Sequence, residues 1–149
     1  MHLGAKSPYG CRNYFWLTDK DRVLAHTNFP PNSPKCDNTL RTRWYRFDGL
    51  AGSAMPTECV PTNHCGALAP GWLLGSHPFR RYRIVRRSVC FHWNNDCCRK
   101  KLAILVVKCD GFFAYRLIKT PLFLARLKSG MTACSLRYCG DGKTSKYLF

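Results

Sequence analysis

The clearest element in the pattern of apolar and polar residues is a continuous apolar run at residues 102–107. A short run of this kind predicts a buried strand. Asp110-Gly111 follows it, and strand character resumes at residues 112–115. Because an Asp-Gly pair between two such runs is a strong hairpin signal, we expect these two strands to pair antiparallel. Residues 82–90 alternate in part between apolar and basic side chains and predict a further strand.

Outside these strands the pattern predicts loops and short extended segments. Residues 44–47 are aromatic and strand-like and end at an Asp-Gly turn signal, whereas residues 13–17 fit either a short strand or a helical turn. Prolines make residues 28–34 a surface loop. Residues 49–78 are rich in Gly, Pro, Asn and Ala and predict an ordered loop, and residues 137–139 are expected to close the core. The fold class is therefore mainly β.

Ten cysteines, spread along nearly the whole chain of 149 residues, add a covalent framework to this picture. An even and dispersed set of this density is typical of disulfides formed in an oxidising compartment. Reduced cytosolic thiols and a zinc protein are the alternatives, but the chain has no Cys-x-x-Cys pair of the kind that structural zinc sites use. The sequence predicts a small disulfide-rich domain with antiparallel strands, long ordered loops and five disulfides, without a metal or cofactor. Spacing does not choose the partners among Cys11, Cys36, Cys59, Cys65, Cys90, Cys97, Cys98, Cys109, Cys134 and Cys139.

The chain is also strongly basic, with 24 Lys and Arg against 8 Asp and Glu and a net charge of +16. Such an excess attracts polyanions, including sulfated glycans, nucleic acid, acidic membrane surfaces and acidic proteins, and charge alone does not separate these. The densest basic cluster is a candidate polyanion site, because arginine suits the geometry of sulfate and phosphate. The plainer interpretation is a solvated strand edge whose charge discourages edge-to-edge pairing. The cluster consists of Arg80, Arg81, Arg83, Arg86 and Arg87.

The N-terminus lacks a recognisable targeting segment. Its first six residues have no apolar core of a signal peptide, and no stretch of the chain approaches the roughly 18 apolar residues of a membrane span. Because disulfides require an oxidising compartment, we expect an extracellular or secreted location. The chain is then either a fragment of a longer secreted protein or has an incomplete N-terminus.

Between residues 44 and 139 the chain carries a series of mixed Trp, Pro, Gly and Cys motifs. These motifs are Trp44-Tyr45-Arg46-Phe47, Met55-Pro56, Cys59-Val60-Pro61, Ala69-Pro70-Gly71-Trp72-Leu73, Gly75-Ser76-His77-Pro78, His92-Trp93, Thr120-Pro121 and Cys134-Ser135-Leu136-Arg137-Tyr138-Cys139. Together they resemble the uromodulin-type ten-cysteine domain family. All ten cysteines have a counterpart in order, so the resemblance covers residues 11–140.

This resemblance implies a module of secreted or membrane-anchored mosaic glycoproteins that has no active site and contacts proteins or glycans. It divides the chain into an N-terminal tail or join (residues 1–10), the domain (residues 11–140) and a C-terminal tail (residues 141–149). It also implies a pairing of the cysteines, namely Cys11–Cys109, Cys36–Cys134, Cys59–Cys97, Cys65–Cys139 and Cys90–Cys98.

The chain departs from the family pattern in its glycosylation sites and in one segment. The relatives carry N-glycans on this domain, but this chain has no Asn-x-Ser/Thr acceptor, and Leu74 and Arg116 stand at the expected asparagines. The glycan-based role of the relatives is therefore not transferred. Residues 122–133 are an atypical insertion, interpreted either as a surface loop with a short amphipathic turn or as an artefact of the gene model.

Residues that could carry catalysis are few, and packing explains them better. Ser76 beside His77 is not a nucleophile elbow. His92 with Asp96 suggests a base and its orienting acid, but structural packing beside Cys90, Cys97 and Cys98 is the favoured interpretation. His64 has no second close metal ligand in the sequence. We therefore expect no enzymatic activity.

Three function hypotheses follow from these features. The leading one is a non-catalytic extracellular binding or structural module that contacts proteins or glycans. The alternative is a cationic heparin-binding or defence protein that acts on sulfated polyanions through the arginine cluster at residues 80–87. Nucleic-acid binding by a reduced zinc protein would require bound metal, and we expect no nucleic-acid partner. The tryptophans at 44, 72 and 93 are expected to pack around disulfides rather than bind a ligand.

Overall fold

Nine strands and a few short helical turns make up the computed structural model, which describes residues 6–27 and 34–143. Seven of the strands form one sheet, which confirms the prediction of a mainly β domain. One turn of α-helix, α1 (Tyr9–Arg12), and two 3-10 turns, Lys20–Arg22 and Gly49–Ala51, complete the secondary structure. The strands are β1 (Phe15–Leu17), β2 (Arg43–Phe47), β3 (Ala69–Leu74), β4 (Ile84–Trp93), β5 (Asp96–Lys108), β6 (Phe113–Leu117), β7 (Leu124–Arg126), β8 (Thr132–Cys134) and β9 (Leu136–Tyr138).

Two hairpins build the centre of the large sheet, whose strand order is β1-β2-β6-β5-β4-β3-β9. The β5–β6 hairpin turns at Asp110-Gly111, where Gly111 has a φ of 84°, as the sequence predicted. The β4–β5 hairpin turns at Asn94 and Asn95, whose φ angles are 55° and 62°. A tight hairpin turn that matches the strand twist requires positive φ at two successive residues, and asparagine tolerates it. Both strands therefore extend further toward this turn than the apolar pattern indicated.

The sheet is mixed rather than purely antiparallel. β1 pairs with β2 in parallel and β3 pairs with β9 in parallel, while the other pairs are antiparallel. β3 also corrects the interpretation of residues 49–78 as loop throughout. Close packing selects its residues, because a Cβ on Gly71 would lie 3.0 Å or less from the side chains of Phe91 and Val89. Pro70 is tolerated because β4 pairs with β3 only from the next residue onward.

The two faces of the sheet differ in what covers them, since successive side chains of a strand point to opposite faces. The core face includes Phe91, Val106 and Tyr115, which are fully buried against residues such as Met55 from the loop after β2. On the other face, α1 covers one end, where Gly10 lies against the Trp44 ring. The disulfide-bonded cluster around Trp72 and Cys90 covers the other end. Between these two ends, Arg86 on β4, Ala103 on β5 and Arg116 on β6 are exposed.

The segment 122–133 forms most of a hairpin, whereas one of the two interpretations from the sequence was a surface loop with a short amphipathic turn. β7 and β8 pair antiparallel, and the N–H of Gly130 donates to the carbonyl of Leu127 at 2.9 Å in the turn between them. Ala125 in the middle of β7 is buried, and its N–H donates to Ser135 Oγ at 3.0 Å. The alternation of exposed and buried side chains along β7 has the period of a strand, not that of a helix.

Ordered packing extends beyond the expected domain limits of residues 11–140. α1 begins at Tyr9, and Gly10 is buried. At the other end, the N–H groups of Asp141 and Gly142 donate to carbonyls in the loop after β2, at 2.8 and 3.2 Å. The loop expected at residues 28–34, except Pro34, and the outer parts of both expected tails lie outside the described residues.

Candidate functional site

Five cysteine pairs lie at bonding distance, with Cα atoms 4.5 to 5.7 Å apart. Four pairs join segments 38 to 98 residues apart, and the fifth spans eight residues inside the β4–β5 hairpin. Crosslinks over such distances restrict the unfolded chain strongly. The five pairs are the set that the resemblance implies, namely Cys11–Cys109, Cys36–Cys134, Cys59–Cys97, Cys65–Cys139 and Cys90–Cys98.

Two of the three tryptophans expected near disulfides do pack there. Trp72 is buried among disulfide-bonded cysteines, and its indole N–H donates to the carbonyl of Cys97 at 2.9 Å. Trp44 packs beside the Cys11–Cys109 pair. Trp93 packs instead against the main hydrophobic core, because it lies on the core face of β4.

A buried ion pair joins the N-terminal segment to the chain before β2. Arg22 donates to both carboxylate oxygens of Asp37, at 2.8 and 3.0 Å, and to the carbonyl of Tyr138 at 2.9 Å. Asp37 also accepts the backbone N–H of Tyr138 at 2.8 Å. The Arg22 and Asp37 residues are only 3% and 5% exposed. The sequence shows these residues as ordinary loop charges, and no local signal indicates their burial.

A second ion pair lies beside the first and extends the network to β9. Arg137 donates to the carboxylate of Asp21 at 3.0 Å and to the carbonyl of Cys65 at 3.1 Å. Lys35 contacts the other oxygen of the same carboxylate at 2.5 Å. Burial raises the pKa of Asp21, but hydrogen bonds and charges from Lys35 and Arg137 outweigh it and lower the pKa to about 2. Both carboxylates, Asp37 and Asp21, are therefore paired with basic side chains of the same domain.

His77 packs toward the core, and its imidazole is engaged by a buried tyrosine rather than by Ser76. Its Nε2 lies 2.6 Å from the hydroxyl of Tyr115, and that hydroxyl also accepts the backbone N–H of Met55 at 3.0 Å. Burial, with a smaller contribution from the charge of Arg87, lowers the pKa of His77 to about 4. A neutral imidazole can accept a hydrogen bond from the Tyr115 hydroxyl at Nε2. This contact is structural, because it joins two side chains packed against the core.

The remaining candidates for chemistry contact the backbone. His92 Nδ1 lies 2.7 Å from the carbonyl of Val60. Asp96, the suggested orienting acid, instead accepts the backbone N–H of Cys98 at 2.9 Å. His64 Nδ1 lies 2.7 Å from the backbone carbonyl of Leu24, so this histidine makes a structural contact.

One group of side chains in the described residues has the spacing of a metal site: His92 with Cys59 and Cys97. The two sulfurs belong to one disulfide pair. Because thiolates, not disulfide sulfurs, are the sulfur ligands of zinc, this group fits a metal only after reduction.

The five arginines expected to form one polyanion site are divided between several environments. Arg81 pairs with Asp110 at 3.3 Å, and Arg87 donates to the carbonyl of Ser76 at 2.8 Å. Arg86 points to the opposite face of β4 from its neighbour Arg87. A shallow depression of about 310 Å³ lies on the Arg87 side of β4. It is lined by Ser76, His77, Pro78, Phe79, Arg80, Arg83, Val85 and Arg87.

Arg86 belongs to a second basic surface on the exposed side of the sheet. Arg86, Leu105 and Arg116 are direct neighbours on β4, β5 and β6, and Trp44 on β2 continues the row. The Cα atoms of the two arginines are roughly 10 Å apart, since neighbouring strands are about 4.8 Å apart. A depression of about 260 Å³ lies between them. We call this surface the open face; it comprises Arg86, Ala103, Leu105, Arg116 and Ile118.

A second depression, of about 580 Å³, continues the row beyond Arg116 toward the sheet edge. It is lined in part by Tyr9 and Phe15, which are 64% and 52% exposed. The guanidinium of Arg43 lies 3.5 Å above the centre of the Phe15 ring. Exposed aromatic rings beside arginines are the composition typical of protein-binding hot spots. No local signal in the sequence indicates this surface, because its residues come from α1, β1, β2, β6 and the chain next to them.

The two positions where the family pattern expects glycosylated asparagines lie on the same side of the sheet. Leu74 is exposed and pairs with Ser88, two residues along β4 from Arg86. Arg116 is part of the open face.

Comparisons with known proteins agree on one kind of domain. A model of the uromodulin-like domain family matches residues 45–140. The chain is 40% identical over 144 residues to the dog pancreatic secretory granule membrane major glycoprotein GP2, which is 96% of this chain and 25% of that protein. It is 40% identical over 107 residues to rat uromodulin, covering 71% of this chain and 15% of that protein. Human GP2 is 36% identical over 130 residues, which is 87% of this chain and 21% of that protein.

The chain therefore spans a quarter or less of the length of these relatives. Among the described residues, no helix has the length and apolar character that crossing a bilayer demands.

Proposed function

Since the chain belongs to the uromodulin-like domain family, we propose that it is a non-catalytic binding and structural module of a longer extracellular protein. The observation that carries this proposal is the covalent framework, in which four disulfides join segments 38 to 98 residues apart. Such frameworks are typical of domains that work in oxidising surroundings. They hold the sheet and its covering loops in one arrangement, as a contact surface requires.

The environments of three histidines support the absence of catalysis. His77 is held by a buried tyrosine hydroxyl, while His64 and His92 contact backbone carbonyls. These three nitrogens are engaged in structural contacts, which is what we expect of histidines that do not act as general bases.

Relatives named for the pancreatic secretory granule membrane support a location on the secretory route. We accordingly propose an extracellular protein or glycan as the partner of this module. Its contact surface would be fixed by the disulfides rather than formed on binding.

The proposal is tested with oxidised protein secreted from a eukaryotic cell. We expect saturable binding to one or a few members of an array of extracellular protein domains and glycans, and no turnover of ester, peptide or glycoside substrates. Reduced and alkylated protein is the control and should lose binding. Turnover that persists through repurification, or binding that survives full reduction, would contradict the proposal.

A second candidate function is polyanion binding through the arginine cluster at residues 80–87. It is favoured by Arg80 and Arg83, which are exposed and line the same depression of about 310 Å³. On immobilised heparin, Arg80→Gln/Arg83→Gln should elute at lower salt than Arg99→Gln/Arg126→Gln, which removes the same charge from two other exposed positions. Equal shifts for the two variants would show only a general effect of net charge and would rule out this site.

A further inference from the structure

We propose that the open face binds an extended acidic peptide segment of a partner protein, with Arg86 and Arg116 as its carboxylate-binding residues. This inference rests on the proposed role as a contact module and names the surface and the chemistry of the partner.

The first argument is the distribution of charge. None of the eight acidic residues lies on the open face, and β2, β3, β4 and β6 contain no acidic residue. Four of the eight are in ion pairs elsewhere, and these are Asp19, Asp21, Asp37 and Asp110. The open face is therefore a cationic surface without carboxylates of its own.

The second argument is the state of the two arginines. Arg22, Arg81 and Arg137 each contact a carboxylate. The exposed side chains of Arg86 and Arg116 have no hydrogen-bond or ion-pair partner within residues 6–27 and 34–143. Two planar guanidinium groups without internal partners are suited to bidentate contacts with carboxylates.

The third argument is spacing. An extended peptide places residues i, i+2 and i+4 on one side, over a total length of about 13 Å. The two arginines lie roughly 10 Å apart at their Cα atoms, and their long side chains can reach outward. A sequence of the type acidic-x-apolar-x-acidic therefore places a carboxylate at each arginine and an apolar side chain over Leu105 between them.

The floor of the surface favours a peptide over a sulfated glycan. Leu105, Ile118 and Ala103 form an apolar floor, and Trp44 and Tyr9 line the depression beyond Arg116. Apolar side chains of a peptide gain from contact with such a floor, whereas a sulfated chain depends on a dense array of cations. A second copy of this chain is disfavoured, because its net charge of +16 would be repelled.

The experiment measures fluorescence anisotropy of a labelled peptide, Gly-Glu-Thr-Leu-Thr-Glu-Thr-Phe-Gly, titrated with oxidised protein. We expect Arg86→Gln and Arg116→Gln each to weaken binding by about fivefold, the upper range for an exposed ion pair. The matched control, Arg126→Gln/Lys128→Gln, removes the same charge as the double variant Arg86→Gln/Arg116→Gln from two other exposed positions and should bind nearly as well as the parent. Far-ultraviolet circular dichroism and thermal unfolding establish that both double variants are folded.

Three results would overturn the assignment. They are no binding of the peptide by folded parent protein, equal losses in the two double variants, and equal binding of a peptide with glutamine at both glutamates. A heparin tetrasaccharide is titrated in parallel. If Arg86→Gln/Arg116→Gln weakens the sugar while the peptide does not bind, the ligand is a sulfated glycan and the peptide proposal is wrong.

The array of extracellular domains separates this inference from the proposed function. If the parent protein binds members of the array but does not bind the peptide, only the open-face assignment is wrong. Absence of both kinds of binding by folded protein removes the contact module as well.

Discussion

Replacing Arg22 by methionine is expected to destabilise the domain by about 3–5 kcal/mol, the cost of removing one partner from a buried ion pair. The substitution keeps much of the side-chain length and removes only the guanidinium. Asp37, which is 5% exposed in the parent protein, would keep the backbone N–H of Tyr138 as its one remaining donor among the contacts described. The carbonyl of Tyr138 would lose a hydrogen bond of 2.9 Å at the same time.

Most of the loss of stability in Arg22→Met comes from the buried, uncompensated charge of Asp37, so it should become smaller when that charge is removed. Asp37→Asn removes the charge and keeps an acceptor for the N–H of Tyr138. We therefore expect Arg22→Met/Asp37→Asn to be less destabilised than the sum of the two single variants, by more than about 1 kcal/mol. This non-additivity distinguishes a loss of the Arg22–Asp37 charge interaction from a simple loss of packing at Arg22.

The measurement is guanidinium chloride unfolding of oxidised protein, followed by tryptophan fluorescence with the disulfides intact. Arg81→Met is the matched control, because Arg81 pairs with Asp110 while the two side chains are 57% and 62% exposed. An exposed pair of this kind contributes under about 1 kcal/mol. Similar losses for Arg22→Met and Arg81→Met, or strict additivity with Asp37→Asn, would refute the reasoning from burial.

Two further predictions concern pH and the disulfides. The pKa of His77 is lowered from 6.5 to about 4 in the folded protein. The stabilisation of the folded state by neutral His77 is therefore complete above pH 6.5 and is lost as the pH falls to 4, because the unfolded chain binds a proton first. We expect the free energy of unfolding to fall by about 3 kcal/mol over that window and the fall to be much smaller in His77→Gln, and parallel pH profiles would contradict this. Removing Cys11–Cys109 by serine substitution should cost about 5 kcal/mol and removing Cys90–Cys98 about 2.5, since the chain-entropy cost grows with separations of 98 and 8 residues. Thermal unfolding checks that order, and peptide mapping after non-reducing digestion should recover all five pairs.

Local patterns in the sequence were sufficient for the centre of the fold. The apolar run at residues 102–107 and the Asp110-Gly111 turn predicted β5, β6 and their hairpin. Those signals work because a strand and a tight turn are determined by neighbours within a few residues. β3 was missed for the opposite reason. Its Pro70 and Gly71 are unfavourable locally and are selected by close packing against β4.

The candidate surfaces were predicted less completely than the fold. The basic cluster at residues 80–87 was visible as composition, and the strand predicted at residues 82–90 already contained Arg86 and Arg87, but the sequence did not show which face of that strand the core covers. Tyr82 has a φ of 67° and is not part of the strand, which begins at Ile84. Arg116 joins Arg86 only through β5, from a position 30 residues along the chain.

By itself, the sequence determined the chemical class of this protein: a mainly β chain with ten cysteines, a large positive charge and the motifs of one family. These properties are carried by residue types and short spacings, so they can be read without coordinates. Only the tertiary structure decided which charges are paired and which are available. Arg22 and Arg137 find their carboxylates 15 and 116 residues away, whereas Arg86 and Arg116 are left facing solvent. Burial and distance between remote segments decide that difference, and neither is encoded in any local pattern.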